Sequence, residues 1–191
     1  AGSQSAEGPR YDVVITGGKI VDGSGNPWFY GDLAIRGGRI ARITPRGMLA
    51  NSNATRRIDA TGKVVAPGFI DIQAQSANAF TVGDGRVISS VTQGITTAIL
   101  GEGATPAPVN DRVIAAMAGD AAMQPALEAF RGPRGFGAWL DAMAAHGISQ
   151  NVGSFLGAAT PRIYAKGEAQ GDATPAELDT IRTVVTQAME D

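Results

Sequence analysis

Apolar positions up to about residue 63 come in short alternating runs broken by glycine pairs. Beyond that point they come in longer blocks. Tyr11–Thr16 is a β-rich run, Gly17-Gly18 reads as a turn, and Lys19–Asp22 reads as a second strand. Asp22–Pro27 is a loop by composition. Tyr30–Arg36 and Arg39–Ile43 alternate on either side of Gly37-Gly38, which predicts a tight hairpin. Arg57–Ala60 adds a strand before the turn Thr61-Gly62-Lys63. Val64–Ile72 is then almost continuously apolar, as expected of a strand covered on both faces. Helices are predicted over Gly85–Thr92, Asn110–Met117 and Phe136–His146, the last with Phe136, Leu140 and Met143 on one face. Ile95–Leu100 and Asn151–Leu156 read as further buried strands. Thr174 as N-cap, Pro175 at the first helical position and Glu177 completing a capping box start a helix that runs to about Glu190.

Strands alternating with helices imply an α/β fold with a parallel sheet. A closed (β/α)8 barrel typically needs about 250 residues. The 191 residues present are therefore either a small α/β protein or part of a barrel finished elsewhere. The expected organisation is a disordered polar tail over 1–10, a small β unit over 11–63 and strand–helix units over 64–191.

Composition narrows the partners. A net charge of −2 gives no footprint for nucleic acid or an anionic membrane. No apolar run approaches the ~18 residues of a membrane span. The absence of cysteine excludes disulfides and thiolate metal sites from this chain. The tail AGSQSAEGPR is of the kind left after signal-peptide removal, so a periplasmic or secreted location is expected, with the cytoplasm as the alternative.

The candidate chemistry sits where strands end. Gln73 and Gln75 project the same way, since side chains in a strand repeat every second residue. They either hydrogen-bond substrate or fill a pocket. Glu102 follows the strand Ile95–Leu100 at its C-terminal end, where barrel active sites sit. It reads as a metal ligand or as a loop carboxylate bonded to backbone amides. Ser76 and Thr105 share these loops and are candidate substrate contacts, and Arg162 is a candidate for binding a substrate carboxylate. Asp71 reads as a structural hydrogen-bonding group. His146 is the only histidine and reads as a helix C-terminal cation. Trp28 and Trp139 read as packing residues, and no side chain is assigned a proton-transfer role.

Four segments, in order, resemble one family. They are Tyr11–Gly25, Asp59–Asp71, Val91–Pro108, and Asn151–Arg162 with Thr174–Asp191. Together they resemble amidohydrolases of the D-aminoacylase (N-acyl-D-amino-acid deacylase) type. The resemblance implies a small β-sandwich followed by the first three strand–helix units of a metal-dependent-hydrolase (β/α)8 barrel. It also implies hydrolysis of the C–N amide bond of an N-acyl-D-amino acid or peptide-like substrate by a Zn²⁺-activated water. Three departures stand out. Gln73 and Gln75 occupy the positions of the family's His-x-His. Gly101-Glu102-Gly103 occupies a loop where relatives place a cysteine, and Gly157-Ala158-Ala159 stands where many carry Gly-His-Gly. A neutral amide oxygen is a poor Zn²⁺ donor beside imidazole, whereas a carboxylate is an acceptable one. The departures imply a mononuclear site in which Glu102 is one ligand. The other ligands and barrel strands are then expected from a second polypeptide, as in a processed heterodimer, with this chain inactive alone. The alternative is a non-catalytic binding or scaffold relative that has lost its metal.

Overall fold

The structure is a computed structural model and describes residues 10–191. All of the expected tail except Arg10 lies outside the described residues. The fold is mixed α/β, and it divides by internal contacts into one unit ending at Pro67 and another spanning Gly68–Asp191.

The first unit is a five-stranded sheet of β1 (Tyr11–Ile20), β2 (Phe29–Arg36), β3 (Arg39–Pro45), β4 (Ala54–Asp59) and β5 (Val64–Val65). β2 and β3 form the predicted antiparallel hairpin around Gly37-Gly38. β4 and β5 pair one after the other, in parallel, along the remaining edge of β1. The turn predicted at Gly17-Gly18 is absent. β1 runs through both glycines with a register shift between Ile15 and Gly18. The cause is Asp32, a fully buried carboxylate on β2. It accepts the Gly17 N–H at 2.9 Å and the Leu49 N–H at 3.0 Å. Gly17 takes φ +72°, a bulge conformation open to glycine. A side chain at Gly18 would strike Val65 Cγ2 at 2.5 Å. These glycines thus serve a bulge and a close strand approach. Tyr11, Val14, Ala34 and Leu49 form the small core of this unit. Trp28 does not pack into it: the side chain is 50% exposed, edge-on to Tyr30, with Lys19 Nζ 4.1 Å from its ring centroid.

The second unit is built on three parallel strands in the order β6 (Phe69–Asp71), β7 (Ile95–Leu100), β8 (Asn151–Ser154). Its helices are α1 (Ala77–Thr81), α2 (Ile88–Val91), α3 (Asp111–Ala116), α4 (Gln124–Leu127), α5 (Gly135–His146), α6 (Ala159–Lys166) and α7 (Pro175–Glu190). The apolar run Val64–Ile72 is not one buried strand. Pro67 and Gly68 break it, so β5 joins the first sheet and β6 the second. β6 is an edge strand, and Phe69, Ile70 and Ile72 are exposed by 63%, 63% and 74%. The helix predicted over Gly85–Thr92 shrinks to α2. Asp84 takes the Arg86 N–H at 3.0 Å in a local turn, and Val87 sits in the left-handed region. α6 carries no strong start signal and was not expected. The capping box of α7 forms as predicted.

Phe80, Leu100, Val109, Met123, Phe136 and Trp139 anchor the core between this sheet and its helices. Trp139 is fully buried, and its indole N–H donates to Thr81 Oγ1 at 2.8 Å. His146 is the basic residue of the last turn of α5, as expected. Its Nε2 lies 2.6 Å from the Gly83 carbonyl oxygen, tying the end of α5 to the loop after α1.

Candidate functional site

Because β6, β7 and β8 are parallel, the segments that leave them emerge at one end of the sheet. The segment after β6 carries Gln73, Gln75 and Ser76. The segment after β7 carries Glu102 and Thr105, and the one after β8 leads into α6.

The β6 exit is open. Asp71 accepts the Gln73 N–H at 3.0 Å, the structural role expected of it. The Gln73 and Gln75 side chains are exposed, and Gln75 Nε2–H donates to Glu102 Oε2 at 3.2 Å. Ser76 is half-buried at the N-cap of α1, where its hydroxyl caps nothing, while its carbonyl accepts the Phe80 N–H.

The β7 exit is tightly held beneath an exposed Glu102. Ala159, at the start of α6, donates its N–H to the Gly103 carbonyl at 2.8 Å. The Thr105 N–H donates to Thr160 Oγ1 at 2.8 Å, and that hydroxyl donates back to the Thr105 carbonyl at 2.8 Å. Thr105 Oγ1–H is spent on the Ala107 carbonyl at 2.7 Å. Thr105 and Thr160 are 5% and 2% exposed. Thr105 is therefore part of the support for the loop, with its hydroxyl turned into the protein and not toward a substrate. Gly157 completes the hold, since a Cβ there would lie 2.4 Å from the Ala104 backbone. Thr105 and Thr160 border a cavity of about 180 Å³, below the ~300 Å³ at which ligand pockets begin. Arg162, on α6, donates to the Ala169 carbonyl at 2.7 Å, a local structural bond.

The donor set can be tested for a metal. Glu102 offers a carboxylate oxygen suited to Zn²⁺. Gln75 presents its NH₂ to that carboxylate, and an amide NH₂ is not a metal donor. Among the described residues no group of three or more His, Cys, Asp or Glu side chains converges. In the described part of this chain Glu102 is the candidate donor at these exits, and other donors would have to join it to make a site. The carboxyls held below their ordinary range lie outside these loops. Asp84 is held down by its bond from the Arg86 backbone, and Glu177 by its bond from the Thr174 backbone.

Sequence reasoning offered Glu102 as a candidate but gave no sign of Thr160, which holds the loop that carries it. A threonine early in an unremarkable helix carries no signal of a partner 55 residues away.

No protein-family model matches the chain. It is 34% identical over 191 residues to the D-aminoacylase of Alcaligenes xylosoxydans xylosoxydans, covering 98% of this chain and 37% of that protein. A solved D-aminoacylase described for its binuclear metal centre superposes with a TM-score of 0.76 at 31% identity, over 94% of this chain and 36% of its own. The N-acyl-D-glutamate deacylase of Bordetella bronchiseptica, solved with zinc and a phosphonate inhibitor, superposes with a TM-score of 0.70 at 30% identity, over 95% and 37%. The chain thus spans little more than a third of the length of these relatives. Along nearly the whole of its length this chain is similar in sequence and fold to D-aminoacylases and N-acyl-D-amino-acid deacylases.

Proposed function

We propose that this chain is part of a metal-dependent amidohydrolase that cleaves the C–N amide bond of an N-acyl-D-amino acid or a peptide-like substrate. In this reading Glu102 is one ligand of a single Zn²⁺. One observation carries it: Glu102 stands at the exit of a parallel strand on a loop fastened from below by Ala159 and Thr160. When bound, the metal supplies a Lewis acid and a water acidic enough to attack an amide carbonyl near neutral pH. Glu102 contributes charge to hold it. Gln75 restrains the Glu102 carboxylate, and Gln73 and Ser76 are the proposed polar contacts to substrate, while Arg162 is engaged by the Ala169 carbonyl. The strands β6, β7 and β8 are then the start of a (β/α)8 barrel, and residues 11–63 are part of a β-sandwich. The other ligands and strands come from polypeptide outside these 191 residues, whether in the same chain or a second one.

The test is the metal content of the assembled protein together with turnover of N-acetyl-D-amino acids. A single bound zinc and stereoselective release of acetate are expected. A protein that takes up no zinc and hydrolyses none of them would overturn the reading.

A second reading, a non-catalytic binding or scaffold relative, is favoured by the two glutamines at the β6 exit and the lack of a three-ligand cluster among the described residues. The same measurement separates the two, since only the enzyme binds zinc.

A further inference from the structure

We propose that Thr160 is a positioning residue that preorganises Glu102 for metal binding. The inference rests on Glu102 being a ligand, as argued above. Glu102 is exposed, and its one side-chain hydrogen bond goes to an exposed glutamine. On a free loop, ordering such a residue would cost about 1–2 kcal/mol of backbone entropy per residue at the moment of binding. The structure removes most of that cost in advance, through α6.

The Thr160 hydroxyl serves both backbone groups of Thr105, accepting from its N–H and donating to its carbonyl, each at 2.8 Å. It thus does for the loop what a neighbouring strand would do. Both threonines are buried, so water cannot take over these bonds if the hydroxyl is lost. A helical threonine ordinarily turns its hydroxyl back to its own helix; Thr160 instead spends it across 55 positions of sequence. The Ala159 N–H on Gly103 adds a second tie immediately beside Glu102. With Gly157 pressed on Ala104, the segment Gly103–Thr105 is gripped along its length.

The experiment uses the assembled protein stripped of metal. Zn²⁺ affinity is measured by competition with a chromophoric chelator, and loop order by hydrogen exchange at the amides of Gly103–Thr105. Thr160→Val keeps the shape and removes the hydroxyl. Thr160→Ala serves if the valine variant does not fold. Either should speed exchange at these amides about tenfold and weaken Zn²⁺ binding about tenfold, as loss of a residue supporting a ligand does. Thr160→Ser should restore both. Unchanged exchange in the valine or alanine variant would overturn the proposal. So would faster exchange with unaltered Zn²⁺ affinity, provided Glu102→Ala weakens binding. If Glu102→Ala itself leaves Zn²⁺ affinity intact, the fault lies in the ligand assignment, and the positioning role falls with it.

Discussion

The segments leaving β6 and β7 start side by side at one end of the second sheet, yet they are held differently. After β6, Gln73 and Gln75 lie exposed, and their side chains are tied to the rest of the protein by a single bond, from Gln75 to Glu102. After β7, one exposed carboxylate rests on a segment whose backbone is bonded to α6 and pressed against Gly157. The resemblance puts metal-binding residues at both exits. At the β6 exit the Asp71 carboxylate is engaged by the Gln73 N–H and the buried Ala74 N–H is bonded to the Ile99 carbonyl, whereas at the β7 exit Glu102 stands exposed above a backbone held through side-chain and main-chain bonds to α6. The hold on the Gly103–Thr105 backbone is the observation on which the proposal of Glu102 as a ligand rests.

The sharpest way to break the comparison is to remove that ligand. Glu102→Ala should cost more than about 100-fold in Zn²⁺ affinity, beyond the 10–100-fold range of residues that merely support a ligand. Chelator competition on the assembled protein checks this. Gly157→Ala attacks the support instead. The new Cβ meets main-chain atoms of Ala104, which have no flexible end to swing aside. Overpacking of this kind costs about 1–3 kcal/mol, so the urea midpoint should fall and Zn²⁺ binding should weaken with it. The converse change rebuilds the weak side. Gln73→His with Gln75→His adds two imidazoles at the β6 exit, one of them at the position that now bonds Glu102, so that with Glu102 the chain would carry three donors of the types found in zinc sites. Zinc uptake measured by elemental analysis should rise above that of the parent. No rise would mean that the β6 exit is too loosely held to form a site.

The strand ends were legible from sequence because they depend on local pattern. β7 follows from the apolar run Ile95–Leu100, and α5 and α7 from periodicity with Gly147 and the Thr174–Glu177 box. Glu102 stood out as a candidate because it lies just beyond the end of such a strand. What escaped depends on groups far apart in sequence. Gly17-Gly18 looks like a turn until the buried Asp32, 15 residues on, takes the Gly17 N–H and makes it a bulge. The link from His146 to Gly83 spans 63 residues and the Thr105–Thr160 pair 55, so neither leaves a local trace. β6 misled for a different reason. Its apolar composition is that of a covered strand, but in this chain it has one neighbour and stands exposed.

The smallest effect is expected at α7, which carries none of the candidate residues at either exit and therefore separates loss of the loop from general loss of stability. Thr174→Ala removes the cap and should cost about 1 kcal/mol, with Zn²⁺ affinity unchanged. The same cap predicts a pH dependence. Glu177 accepts the Thr174 N–H at 2.7 Å and its hydroxyl at 2.9 Å, which holds the Glu177 carboxyl below its ordinary value of 4.5. A carboxyl whose value is depressed on folding stabilises the folded state fully above its unfolded value, and that contribution fades as pH falls through the lowered folded value. Glu177→Gln keeps a side-chain oxygen to accept from Thr174 but cannot titrate. The stability advantage of the parent over Glu177→Gln should therefore be largest at neutral pH and shrink on acidification, as read from urea unfolding at several pH values. An advantage that grew as the pH dropped would show that the Thr174–Glu177 bonds do not favour the ionised carboxyl. α7 would then be an unsuitable control for the loop at β7.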